Sequence, residues 1–290
     1  MVKKKNNWKR VLFIILALTP SMLISIGLVI YPIINSVILS FKDPKTGEWS
    51  MTNYVYMFTN KTASATIVYT LAVTLLTVFF SIAFAYLLAL YLRFSNTRVS
   101  KMIGALYLIP RFIPVLVAVY ALMAVVRDSG LLYRLSLLLP EGSALYGFKP
   151  GILYTMKGLV IVNCWFNIPF STMIISAALT NISESIVESA RDVGAGRLRV
   201  FFRFILPLSY KDVLIAATFV FMSNISAFTT PYLIGPNFPQ MLGVYVRQQF
   251  GRLNYEITAA ASVLIFLFSS VSAIVYLYTN MKERAWENTE

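Results

Sequence analysis

The segment "VESARDVGAGRLRVFFRFILPL", residues 187–208, lies between two apolar stretches that are each long enough to cross a membrane. It contains four arginines and two acidic residues. The whole chain has 290 residues, of which 58% are hydrophobic and only 13% are charged. This composition is too apolar for a soluble domain, so the sequence predicts an all-α membrane protein with several spanning helices.

Six segments have roughly the 20 mostly apolar residues that a helix needs to cross the hydrocarbon layer. They are predicted near residues 11–34, 66–92, 102–126, 152–180, 212–234 and 257–279. The basic start "KKKNNWKR", residues 3–10, resembles a signal peptide, but the apolar run after it exceeds signal length. We therefore expect a retained first helix and a single membrane domain over residues 1–290.

The distribution of basic residues predicts the orientation of the chain. With the N-terminus inside, fifteen of the 25 basic residues are cytoplasmic: Lys3, Lys4, Lys5, Lys9, Arg10, Arg93, Arg98, Lys101, Arg191, Arg197, Arg199, Arg203, Lys211, Lys282 and Arg284. Both termini are therefore predicted to be cytoplasmic. The net charge of +13 fits this bias and contact with lipid headgroups. A nucleic-acid partner is not expected, since the basic residues are dispersed over several loops.

The residue types exclude several kinds of chemistry. Histidine is absent and Cys164 is the single cysteine, which rules out Ser-His-Asp triads, zinc-peptidase helices and cysteine metal clusters. No G-x-x-x-x-G-K-[ST] phosphate loop occurs, so a nucleotide would have to be bound by another polypeptide. We expect no catalytic residue, metal or cofactor of its own in this chain.

The charged segment is predicted to form two short helices joined at a bend. Ser185 and Glu188 have the spacing of a capping box, and Gly194 or Gly196 can end the first helix. An apolar stripe on the second helix consists of Leu198, Phe201, Phe202 and Ile205. Pro207 is expected to close that helix. The residues alone leave two interpretations open, a hairpin lying on the headgroups or a docking site for another protein.

The segment resembles the cytoplasmic signature of binding-protein-dependent ABC importer permeases. That pattern is Glu-Ala-Ala, three residues, Gly, nine residues, Ile, one residue and Leu-Pro. The matching positions are Glu188, Ser189, Ala190, Gly194, Phe204, Leu206 and Pro207. Ser189 replaces an alanine and Phe204 an isoleucine, and both keep the size or polarity that a helix-bend-helix form requires.

Other stretches are also similar to these permeases. Residues 18–41 resemble the first helix of such proteins, and residues 167–183 resemble the helix that leads into the signature. Residues 225–250, which contain "TTPYLIG", resemble the fifth helix and its outer loop. This last stretch is more similar to the polyamine, iron and phosphonate-compound branch than to the sugar branch.

The resemblance implies a type I ABC importer permease fold in a prokaryotic inner membrane, with a cytoplasmic coupling helix at about residues 181–209 between helices four and five. It implies two cytoplasmic ATPase subunits that bind ATP, a second permease that is homologous or identical, and an extracytoplasmic binding protein. The chain itself would contact membrane lipid and translocate a small polar solute. A sugar importer permease is the alternative within this class.

Polar residues within the predicted spans are candidates for the translocation pathway. Arg111, in "LIPRFIPV", is costly at such depth and either faces a cavity or snorkels towards the headgroups. The others are Asn163, Trp165, Asn167, Asn224, Ser226 and Thr229. Hydrogen bonding between helices is the competing interpretation for each of these. If Arg111 faces the pathway, its guanidinium favours a zwitterionic or anionic solute.

Two further function classes predict residues that the sequence lacks. A membrane-embedded enzyme would need converging acids or a metal set inside the helices. An ATP-independent secondary carrier would be expected to have paired acids near the midplane of the membrane.

Overall fold

The computed structural model describes residues 7–287. In this range the regular structure is helical, apart from an isolated antiparallel bridge between Lys42 and Trp49. The α-helices are α1 (Asn7–Ser25), α2 (Tyr31–Ser40), α3 (Thr52–Thr59), α4 (Lys61–Phe94), α5 (Arg98–Leu106), α6 (Ile109–Phe112), α7 (Val115–Val126), α8 (Leu131–Ser136), α9 (Met156–Thr180), α10 (Glu184–Asp192), α11 (Arg197–Val200), α12 (Leu206–Ile225), α13 (Thr229–Ile234), α14 (Leu242–Gly251) and α15 (Tyr255–Glu287). Two π-helical turns, Ile26–Ile30 and Phe201–Ile205, join α1 to α2 and α11 to α12. The all-α prediction is confirmed.

Six helical segments in the described range are long and apolar enough to cross a membrane, as predicted. They are Val11–Ser40, Lys61–Phe94, Val115–Ser136, Met156–Thr180, Arg197–Ile225 and Tyr255–Tyr278. Lys3, Lys4 and Lys5, which contribute to the predicted orientation, lie outside the described residues. The boundaries of the third and fifth segments differ from the prediction.

The third predicted span, residues 102–126, is not one helix. It is divided into α5, α6 and α7, and the apolar span begins at α7 and continues to Ser136. Ile113 has the extended conformation (φ −91°, ψ 125°) because it precedes Pro114, whose ring disfavours the helical conformation of the preceding residue. Pro114 therefore ends the helix that contains Arg111, whereas Pro110 lies in the first turn of α6, where proline is tolerated.

The fifth predicted span, residues 212–234, is wrong at both ends. At its C-terminal end, α12 stops at Ile225 and α13 begins at Thr229. A Cβ atom at Gly243 would lie 2.5 Å from the carbonyl oxygen of Ala227, so the glycine permits close packing against this break. At its N-terminal end, the helix extends back through Pro207 to Arg197.

Pro207 does not close a helix, which corrects the prediction. It lies in the first turn of α12, directly after the π-helical turn. In that turn the N–H of Leu206 donates to the carbonyl of Phe201, five residues earlier. This wider turn makes room for a proline ring that would clash with an ordinary α-helical turn, so the helix continues.

Backbone contacts divide the chain into two compact units. One contains residues 1–60 and 246–264, and the other contains residues 61–245 and 265–290. The description of residues 1–290 as a single domain stays a prediction.

In the unit formed by residues 1–60 and 246–264, a turn after α2 is held by side chains. The amide of Asn53 is buried and donates to the carbonyls of Ser40 and Lys42, at 2.9 and 2.8 Å. The Asp43 carboxylate accepts backbone N–H groups from Lys45 and Thr46, at 2.8 and 3.2 Å. These two hydrogen bonds lower the pKa of Asp43 because they stabilise its charged form.

In the other unit, α4, α9 and α12 pack together and form the core. The buried hydroxyl stripe of α4, which faces this core, consists of Thr66, Thr70, Thr74, Thr77 and Ser81. Thr70 Oγ1 accepts the backbone N–H of Leu242 at 2.8 Å, and the Sγ of Cys164 on α9 lies 3.8 Å from the carbonyl oxygen of Thr77. Short side chains of this kind allow membrane helices to approach closely.

Candidate functional site

The first helix of the signature segment, α10, ends at Asp192, and Gly194, one of the two glycines predicted to end it, turns the chain after the cap residue Val193. Gly194 has a φ of +82°, the left-handed conformation that glycine adopts without strain. Its N–H donates to the carbonyl of Arg191 at 2.8 Å, and the N–H of Ala195 donates to the carbonyl of Ala190 at 3.0 Å. These two bonds form a Schellman motif, which turns the chain towards α11. Gly196 has an ordinary φ of −65° and precedes α11.

The predicted capping box between Ser185 and Glu188 is not formed. The residue that precedes α10 is Ser183, and its side chain makes no capping hydrogen bond to the backbone. Ser185 lies in the first turn of the helix, where its hydroxyl is 2.7 Å from the Ser183 hydroxyl. With Ser183 at the start, the position that would complete a box is occupied by Ile186, which has no polar group.

The inner face of the signature segment packs on α4 and α9. The buried residues of this cluster are Ala85, Tyr86, Ala89, Ile175, Leu179, Ile182, Val187, Ala190, Val200, Ile205 and Ala216. Phe204 and Leu206 of the signature are half-buried against it. Leu198 and Phe202 of the predicted apolar stripe do not join this cluster and are 76% and 61% exposed, whereas Val200, which is not part of the stripe, is buried.

The outer face of the segment is exposed and carries charged and polar side chains beside the apolar Val193, Leu198 and Phe202. It carries Glu188, Ser189, Arg191, Arg197, Arg199 and Arg203. Pro207 is also exposed, and Gly194 lies at the bend with open space around its Cα atom. The signature residues therefore separate into two groups, since Ala190, Phe204 and Leu206 pack inward while Glu188 and Ser189 face outward.

Two anchoring residues of this segment were missed by the sequence analysis. The Tyr86 hydroxyl lies 2.6 Å from the Ser209 hydroxyl, and its ring makes an edge contact with Phe201 at 5.5 Å between centroids. Arg93, in the last turn of α4, lies 3.6 Å from the Glu184 carboxylate and donates to the Ile182 carbonyl at 3.4 Å. A tyrosine in an apolar span and a cation at a helix end were the available signals, but neither identifies its partner.

Five of the seven pathway candidates line one cavity of about 400 Å³ in the unit that contains residues 61–245. They are Arg111, Asn163, Asn167, Asn224 and Thr229. The other two do not line it. Trp165 borders an apolar groove with Cys164, and the exposed Ser226 donates its hydroxyl hydrogen bond to the Met222 carbonyl at 3.1 Å.

Arg111 lies in the last turn of α6 at the cavity wall. Its guanidinium carbon is 4.9 Å from the ring centroid of Phe170, a cation–π contact. Among the side chains that the structure describes, no carboxylate lies within ion-pair distance of Arg111. The cation is therefore held by an aromatic face and is open to the cavity.

The amides of the cavity make mostly local hydrogen bonds. Asn167 donates to the Asn163 carbonyl at 2.7 Å, and Asn224 donates to the Val220 carbonyl at 2.7 Å. One bond crosses between helices, from the Ser223 hydroxyl to the Asn167 side-chain oxygen at 3.5 Å. The buried Asn163 Nδ2 has no hydrogen-bond partner among the described residues, so it is a free donor beside the cavity.

The sequence of the chain matches the profile of the family described as binding-protein-dependent transport system inner membrane component over residues 81–285. The chain belongs to this family. The match contains the whole signature segment and all seven pathway candidates. The chain is therefore an ABC importer permease, a multi-pass protein of the inner membrane.

Curated relatives of this permease have names that refer to different solutes. A probable sulfate transport system permease protein cysT of Helicosporidium sp. subsp. Simulium jonesii is 26% identical over 79% of this chain and 82% of that protein. The maltose/maltodextrin transport system permease protein MalF of Escherichia coli (strain K12) is 27% identical over 79% of this chain. The aligned region spans 49% of MalF, about half of its length.

Solved structures confirm the type I importer permease fold. A chain of a bacterial ABC transporter involved in the import of the acidic polysaccharide alginate superposes with a TM-score of 0.77, at 18% identity, over 96% of both chains. A chain of an amino acid ABC transporter has a TM-score of 0.52 at 19% identity, covering 80% of this chain and 96% of that chain.

Proposed function

We propose that this permease is the transmembrane subunit of an ATP-driven importer, which translocates a small polar solute delivered by an extracytoplasmic binding protein. Its partners would be two cytoplasmic ATPase subunits, which bind the ATP, and a second permease that is homologous or identical. The observation that carries the proposal is the signature segment, with its inner face packed on α4 and α9 and its outer face charged and exposed.

The outer face of the signature segment is the proposed docking surface for an ATPase subunit. A bend fixed by two backbone hydrogen bonds presents Glu188 and Ser189 in a defined orientation. The apolar inner face makes the segment follow any movement of α4 and α9. A protein partner would explain why the segment is charged. Contact with lipid headgroups would explain most of its arginines.

The cavity that contains Arg111 is the proposed part of the translocation pathway contributed by this chain. It combines one cation, the free donor of Asn163 and several amide and hydroxyl groups in a membrane-spanning unit. Polar groups are costly in hydrocarbon unless they find partners, which a polar solute or a second permease would supply.

A zwitterionic or anionic solute of the polyamine- and phosphonate-like branch fits the cavity best. Arg111 offers several hydrogen-bond donors to a carboxylate, sulfate or phosphonate, and no acid lines the cavity to attract a cation. The similarity to a probable sulfate permease supports an anion. A spermidine/putrescine permease, PotB of Escherichia coli (strain K12), aligns over only 43% of this chain.

A sugar is the second candidate solute, because four aromatic rings line the same cavity. They belong to Phe166, Phe170, Phe219 and Phe228. Apolar faces of sugar rings pack well on aromatic side chains. The names of MalF and of the alginate transporter agree with this alternative.

Reconstitution tests the proposed function. Proteoliposomes containing the permease, its partner permease and both ATPases should take up solute only when ATP and the loaded binding protein are supplied. A matched complex with a hydrolysis-deficient ATPase should take up none. Uptake driven by an ion gradient in vesicles without the ATPases would instead identify a secondary carrier.

The proposed cytoplasmic position of both termini and of the signature segment is tested by labelling. A Gly196→Cys variant on a Cys164→Ser background should react with a membrane-impermeant thiol reagent only from the cytoplasmic side. Gly196 is exposed and has an ordinary φ, so a side chain is accommodated there. Labelling in intact cells from outside would contradict the orientation and the docking surface together.

A further inference from the structure

A second cavity, of about 460 Å³, lies where the end of α4 meets α5 and the last turns of α9. Two cations, Arg93 and Lys101, line it together with Ser95, Asn96 and Ser100. None of the lining residues is acidic, and none is shared with the cavity that contains Arg111. The cavity is therefore a separate site with a positive charge.

The positive charge of this cavity is only partly neutralised. Arg93 is 3.6 Å from Glu184, but the Glu184 side chain is 74% exposed, so solvent screens the pair. In the part of the chain that the structure describes, Lys101 has no carboxylate within ion-pair distance. An anion in the cavity would gain the attraction of both cations.

The wall also offers a hydrogen-bonding group that has no partner. Ser176, on α9, lines the cavity, and its buried Oγ has no hydrogen-bond partner among the side chains and backbone groups that the structure describes. Ser100 is only 4% exposed and lines the same cavity, at the start of α5. Leaving the buried Ser176 hydroxyl unpaired is costly, so an acceptor oxygen within its reach would be stabilised.

We propose that this cavity binds the phosphate of an anionic phospholipid headgroup. A guanidinium, an ammonium and hydroxyl groups are the donors that phosphate oxygens prefer. The cavity lies at the end of a membrane-spanning helix, at the level where headgroups lie. An apolar part of the wall is formed by Ala89, Leu92 and Gly104. It can contact the start of a lipid acyl chain, which would strengthen the binding of a phospholipid but not that of free phosphate.

The test measures lipid retention by the intact importer complex, and it does not depend on import. The complex is stripped of lipid in detergent, and phosphatidylglycerol is added and counted by native mass spectrometry. We expect Lys101→Gln to weaken retention of one phosphatidylglycerol per permease by about fivefold, the effect of one basic residue near an anionic surface. Lys101→Arg should retain the lipid, because it keeps the charge.

Arg98→Gln is the matched control. Arg98 is an exposed cation on the same helix, three positions before Lys101, but it does not line the cavity. Its replacement should leave retention unchanged. An equal loss for Arg98→Gln and Lys101→Gln would mean general attraction to anionic lipid and would overturn the proposed site.

Two further measurements identify the occupant. Phosphatidylcholine, which has no net charge, should bind the wild type more weakly than phosphatidylglycerol does. The difference between the two lipids should be smaller for Lys101→Gln, which keeps only Arg93 in the cavity. Inorganic phosphate at millimolar concentration should not displace the retained phosphatidylglycerol. Displacement by inorganic phosphate would identify a soluble phosphate as the occupant, and the lipid assignment would be wrong.

Discussion

A Gly194→Val variant of the complete importer should assemble and hydrolyse ATP, yet import about tenfold less solute for each ATP consumed. Nothing lies within 4 Å of a Cβ atom built at Gly194, so the effect comes from the backbone alone. A φ of +82° costs a residue with a side chain about 1–2 kcal/mol, which shifts a conformational ratio roughly 5- to 30-fold. The bend should therefore relax and change the orientation of the docking surface. Uptake and ATPase activity are measured on the same proteoliposomes.

Gly196→Val is the control for this variant. Gly196 lies two residues further along the same bend and has open space around it, but its φ of −65° suits valine. Its coupling should be that of the wild type. Normal coupling in Gly194→Val would show that the conformation of the bend does not matter for transport.

An Arg111→Gln variant should lose about tenfold or more in uptake of an anionic or zwitterionic solute, while it assembles normally and its ATPase is still stimulated by the binding protein. A hydrogen bond between charged groups contributes about 1.5–3 kcal/mol, and glutamine cannot replace that charge. The side chain is exposed to the cavity and makes one aromatic contact, so its removal leaves no buried partner unpaired.

Arg134→Gln is the matched control for Arg111→Gln. Arg134 is an exposed cation in the last turn of α8 and does not line the cavity. It should transport as the wild type does. Unchanged uptake in Arg111→Gln would mean that this arginine does not contact the solute. A sugar would then become the favoured solute, bound mainly by the phenylalanine rings.

The sequence predicts the number and composition of the spans well, because burial in lipid requires about 20 apolar residues regardless of tertiary context. It predicts helix ends less well. Pro114 breaks a helix, whereas Pro207 is accommodated inside one, and the difference depends on a π-helical turn before Pro207 that no single residue type encodes. Likewise, the break after Ile225 is packed against Gly243, which is distant in sequence.

The candidate sites, too, could be predicted from the sequence only in part. The glycine at position 194 was predictable, because few other residues accept a left-handed helix end. Polar residues in apolar spans identified five of the thirteen residues that line the cavity, because a polar group in hydrocarbon needs a partner or a solvated surface. Their partners were not predictable, since Phe170 beside Arg111 and Tyr86 beside Ser209 are set by the packing of separate helices. Ser226 and Trp165 are also polar residues in apolar spans, but they do not line the cavity.

The continuous helix from Arg197 to Ile225 connects the second half of the signature segment to the cavity wall. Arg197 lies at its charged end, and Ser223 and Asn224 lie in the cavity at the other. At 1.5 Å per residue, its 29 residues extend about 43 Å, so each degree of tilt about one end displaces the other end by about 0.8 Å. Small rotations at the membrane surface are thereby amplified into movements comparable to the width of a solute.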